Sequence, residues 1–194
     1  MAQKRPIPGH NDYFPILSRY LEQEQYQLIA CGADGPTVEE IDSFAFEAGV
    51  RLPFDFIDFS VSRIGGLYVA VKEELWPRPK AFDVGPFWSM LYGMYVYGFA
   101  RGIPEFMSIR VQTSTFRKRS GTDLVPCIKI IGDANVYGFN PEGAVCRWDH
   151  ETGESSLAEK TFLETLEFEV AELARRKVKK LQEREGDRNV PGST

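Results

Sequence analysis

Histidine is almost missing from this chain, with two residues in 194, and cysteine is scarce, with three. His10 stands near the N-terminus and His150 in an Asp-His-Glu turn, so a metal site would need further ligands brought from elsewhere. Cys31, Cys127 and Cys146 are odd in number and lack CxxC spacing, which fits reduced structural thiols rather than a disulfide frame or a zinc site. Basic charge is not in excess either. Twenty-three Lys and Arg against twenty-eight Asp and Glu leave a net charge of -5, the wrong sign for wrapping a phosphate backbone. Nucleic acid is therefore not the expected partner, and a charged partner should be basic. Long apolar runs are also lacking: the longest, 87–100, contains Gly93 and Gly98 and is shorter than the roughly 20 residues a membrane span needs. Lys4 and Arg5 are followed by Pro6 and Pro8 instead of the apolar core of a leader. The expectation is a cytoplasmic protein with no membrane insertion.

What is present is an ordinary globular composition, 43% hydrophobic, 13% aromatic and 26% charged, which excludes wholesale disorder and is enough for one aromatic-rich core. Tyr13, Ile16, Leu17, Tyr20 and Gln27 make a loose helical stripe over 13–27. Thr37-Val38-Glu39-Glu40 has the form of a capping box. Ile41, Phe44 and Ala48 then share a face, and Gly49 supplies a left-handed stop. Leu52-Pro53 opens a second helix with Phe56, Ile57 and Phe59 inside, stopped by Gly65-Gly66, and 67–71 reads as a strand. Pro77 and Pro79 enforce an extended path, 94–97 reads as buried strand, and Pro104 starts a short helix carrying Phe106 and Ile109. Residues 118–123 read as a polar turn. Segments 127–131, 135–139 and 144–148 follow as strands, joined by links too short for parallel crossovers. Phe162, Leu166, Val170 and Leu173 repeat at helical spacing in a long final helix ending near Arg184. The fold class expected is α+β: an antiparallel, meander-like sheet flanked by helices. Residues 1–30 are read as a partly helical extension, 31–185 as the domain and 186–194 as a disordered tail.

Two stretches resemble the SUKH superfamily of polymorphic-toxin immunity proteins, which also includes fungal regulators of cell-wall synthesis. The first is a short helix, Gly49-Val50, Leu52-Pro53 with Phe56 and Phe59, and Gly65-Gly66; the second is Ile131-Gly132-Asp133, Gly143, Trp148-Asp149 and the helix carrying Phe162 and Leu163. Ile64 stands where that family usually has asparagine, and 76–115 is longer and more aromatic than in a minimal member. The resemblance implies a sheet flanked by helices, no cofactor, no catalytic residues, and a non-enzymatic role in binding and neutralising a bacterial toxin, basic if it acts on nucleic acid. The alternative it implies is a regulatory or scaffold module that binds an endogenous enzyme. Fold does not fix the partner.

The residues offer no convergent acid, base, nucleophile or metal set. Asp55 and Asp58, three apart on a helix, read first as solvating charge, and Cys146 before His150 does not align a nucleophile with a base on a strand. Gly65-Gly66 lacks the surroundings of a phosphate cradle. Arg175, Arg176, Lys177, Lys179 and Lys180 alternate with glutamates as a solvated helix end does. Trp76, Phe82, Phe87 and Trp88 are the candidates for an aromatic contact surface, although core packing is the better reading. The partner-binding candidates are Asp55, Asp58, Trp76, Trp88 and Asp133.

Overall fold

Every neighbour in the sheet is also the next strand in sequence, and short turn-rich links join the last four strands. A computed structural model describes residues 13–79 and 87–188. Seven strands, β1 (Tyr26–Ala30), β2 (Leu67–Val71), β3 (Gly93–Val96), β4 (Val125–Ile130), β5 (Val136–Phe139), β6 (Val145–Trp148) and β7 (Ser155–Leu157), pair antiparallel in that order. The helices are α1 (Phe14–Tyr20), α2 (Val38–Ala48), α3 (Phe54–Val61), α4 (Ile109–Ser120) and α5 (Phe162–Arg188). The fold is an α+β meander with a long C-terminal helix.

The local chemistry sets the helix ends. The Thr37 hydroxyl accepts from the Glu40 amide at 3.2 Å, and the Glu40 carboxylate accepts from the Thr37 amide at 2.8 Å, so both halves of the capping box are made. Gly49 closes α2 at φ 63°, a conformation a Cβ disfavours, and the Val50 amide folds back to the Ala45 carbonyl. Pro53 precedes α3 as its N-cap, with ψ 152°, one position earlier than expected. A second capping box, Thr161 with Glu164, starts α5.

Period-2 alternation gives the sheet two apolar faces. On one, the row Leu28, Val69, Met94 and Ile130 runs across paired strands toward the layer of α1, α3 and α5. The rings of Phe56, Phe59, Phe139 and Phe162 interlock there, with Phe56 centred 4.8 Å from Phe139 and 4.9 Å from Phe162. On the other face α4 sets Phe116 against Leu124, Val136, Cys146 and Trp148. A knot of glycines ties the loops together. A Cβ on Gly98 would fall 2.2 Å from the Gly65 carbonyl oxygen, and Gly65 itself sits at φ 56°.

Two expectations change. The stripe over 13–27 is a helix only to Tyr20, because Tyr26 and Gln27 already pair with β2. Tyr13, Leu17, Leu21 and Tyr26 enter the main core. Residues 118–120 are the last turn of α4, and the turn begins only at Gly121. Strand β7 carries no apolar alternation and gave no signal. Phe82, the N-terminal dozen residues and 189–194 lie outside the described residues.

Candidate functional site

Asp55 and Asp58 are not the solvated pair their spacing suggests. Asp58 is 1% exposed and accepts from the Tyr13 hydroxyl at 2.5 Å, which fastens α1 to α3. Asp55 accepts from its neighbour's amide, Phe56 N at 2.9 Å, and from Leu163 N at 3.0 Å at the first turn of α5. A carboxylate facing the amides of a helix N-terminus meets unsatisfied donors and the positive end of the dipole. Both aspartates therefore hold helices in place.

Trp76, Trp88 and Asp133 are brought together at one end of the sheet. Trp76 is buried, and its indole N–H donates to the Ser89 carbonyl at 2.9 Å, which anchors the short helical turn Phe87–Met90. Trp88, on that turn, is 58% exposed. The turn rests on Gly132, where a Cβ would come 2.5 Å from that of Met90, and Asp133 follows directly. Asp133 accepts from the Asn135 amide at 2.9 Å and pairs with Arg147 at 3.1 Å. Of these three only Trp88 offers a large apolar surface to a partner.

From Asp133 a polar network runs under the sheet to α5. Arg147 lies beside the ring of Tyr137, whose hydroxyl donates to Glu169 at 2.8 Å, and Arg176 lies 3.7 Å from the same carboxylate. Burial raises the Glu169 carboxyl above its ordinary value, partly offset by the Tyr137 bond and by Arg176. Burial likewise raises the Tyr137 hydroxyl. Lys177 is buried, bonded to Gln25 and placed over the ring of Tyr26, whose hydroxyl burial pushes up to about 12. Arg176 and Lys177 are thus drawn inward, whereas Arg175 pairs with Glu172 on the surface, as the alternating charges suggest. Cys127 and Cys146 are buried and their thiols raised by desolvation, the wrong direction for a nucleophile. Among the described residues no group of three or more His, Cys, Asp or Glu side chains could hold a metal ion, and no helix is long and apolar enough to cross a membrane.

The most contact-ready surface was not among the sequence candidates. Phe54, at the first position of α3, is a ridge between two open grooves. One, of about 780 Å³, is lined by Pro53, Val145, Leu157, Phe162 and Leu163; the other, of about 710 Å³, by Ala45, Val50, Leu52 and Ile57. Phe46, 89% exposed, shares the α2 face of Asp42, at the flank of the second groove. Asp42, Asp55, Glu159 and Glu164 line the two grooves against Arg51 and Lys160, so the rim is acidic. At the start of α5 the Leu163 amide is already taken by Asp55 and the Glu164 amide by the Thr161 hydroxyl, so the groove presents apolar surface rather than an anion cradle. An aromatic at the first position of a helix opened by Leu-Pro was the available signal, since that position faces away from the Phe56 and Phe59 stripe. No protein-family model and no curated protein matches the chain.

Proposed function

We propose that the protein acts by binding another protein, as a SUKH-type immunity protein that blocks a cognate toxin. The observation that carries this reading is the pair of acidic-rimmed apolar grooves on either side of Phe54, with Phe46 beside them. An exposed aromatic flanked by concave apolar surface is the composition of a binding hot spot. The acidic rim and the net charge of -5 speed and select for a basic partner, as a toxin that acts on nucleic acid would be. The order of glycine, Leu-Pro and aromatic elements adds the family resemblance. The test is co-expression with the product of the adjacent gene. Growth should be protected by the wild-type chain and lost with Phe46→Asp plus Phe54→Ser, while a protein that gives no protection, or a double variant that protects fully, would remove the reading.

A further inference from the structure

The outer edge of the sheet is managed differently at its two ends. β7 is three residues long, Ser-Ser-Leu, and offers a partner almost no ladder. β1 is five residues, Tyr26–Ala30, and among the described residues it pairs only with β2. It carries no charge, no proline and no bulge, the usual protections of an exposed edge. Leu28 and Ile29 are 37% and 47% exposed and, as neighbours on a strand, face opposite sides of the sheet. Apolar surface therefore flanks the open edge on both faces.

The register decides which backbone groups are open. Lys72 N donates to Gln25 O, and Cys31 N donates to Gly66 O, so the odd-numbered residues of this stretch bond inward to β2. By the alternation of an antiparallel ladder, the amide and carbonyl groups of Tyr26, Leu28 and Ala30 point outward. That pattern is self-complementary. Placing a two-fold axis at Leu28 sets Leu28 against Leu28 of the second copy, Tyr26 against Ala30, and Gln27 against Ile29. Large faces small in one pair, and no like charges meet within the strand.

We infer that the outer edge of β1 is a self-association surface, on which a second copy of this chain pairs antiparallel about a two-fold axis at Leu28. An uncharged edge gives a charged foreign segment nothing to select, whereas a copy of itself matches in both hydrogen bonding and side-chain size. Five residues bury less than the roughly 800 Å² per partner of a stable interface, so the dimer is weak and concentration-dependent.

Sedimentation equilibrium of the full chain tests this directly, over about 5 to 500 µM. The weight-average mass of the wild type should rise from 22.0 kDa toward twice that value across the range. Ile29→Lys should remain at 22.0 kDa throughout, with an unchanged thermal melt that shows the fold intact. Adding Gln27→Glu to Ile29→Lys sets opposite charges across the two-fold pair and should restore association. A wild type that stays monomeric over the whole range, an Ile29→Lys variant that associates as the wild type does, or a charge pair that fails to restore the dimer would each overturn the proposal.

Discussion

Asp55→Ala separates a structural carboxylate from a binding one. The substitution leaves the Leu163 amide without its acceptor at the first turn of α5 and removes a negative charge from the positive end of that helix. The Phe56 amide keeps a second acceptor, the Pro53 carbonyl at 3.2 Å, so only one donor is orphaned. An orphaned cap donor costs about 1–2 kcal/mol and the lost dipole interaction about 0.3–1 kcal/mol, for a sum of about 2 kcal/mol. In a domain of this size that is a fall in Tm of about 4–8 °C. Asp55→Asn, which keeps an oxygen acceptor but not the charge, should lose about half as much. Urea titrations followed by far-UV circular dichroism measure both, with the slope of the transition expected to stay the same. A change in stability below about 0.5 kcal/mol for Asp55→Ala would refute the assignment, because that is the level of an ordinary surface substitution.

Gly98→Ala places a Cβ 2.2 Å from the Gly65 carbonyl oxygen, a backbone atom that cannot rotate away, so stability should fall by about 3 kcal/mol or more in the same titration. Gly102→Ala, which meets no atom within 4 Å but sits at φ 78°, should lose only its backbone strain of about 1 kcal/mol. Glu169 has a folded-state carboxyl raised above its ordinary 4.5, so the native chain holds the proton more tightly than the unfolded one, and stability should fall as pH rises through that window. Glu169→Gln keeps an acceptor for the Tyr137 hydroxyl and should flatten that part of the pH profile; an unchanged difference between pH 4.5 and pH 8 would show that Glu169 does not titrate in this way.

Much of the meander was legible because its signals are local. The Thr37–Glu40 box, the Gly49 stop and the short links between β4, β5 and β6 each need only a few residues to declare themselves. The failures are those of tertiary context. Gln27 extends a helical stripe in isolation, but its backbone and that of Tyr26 are claimed by Ala70 and Val71 across the sheet. Residues 118–120 are polar enough for a turn, yet α4 needs only Ile109, Thr113 and Phe116 on its inner face to persist. The site followed the same division. Asp58 is an acidic residue among aromatics, and only the fold shows that Tyr13, forty-five positions away, meets it. Trp76, directly before Pro77, went to the core, the better reading for the aromatic candidates, while Trp88 stayed at the surface. Phe54 was missed although its position faces away from the Phe56 and Phe59 stripe, because the grooves that make it a contact surface exist only once the chain is folded.

The central claim is that the surface around Phe46 and Phe54 binds a protein. Isothermal titration of the purified chain with the purified product of its neighbouring gene measures it most directly, comparing wild type with Phe46→Asp plus Phe54→Ser. Both rings are solvent-exposed, so the double variant should fold normally. The account expects a one-to-one complex in the wild type, weakened by about 100-fold or more in the variant, as loss of a hot spot does. Equal affinity for the two proteins, with the complex otherwise intact, would contradict it.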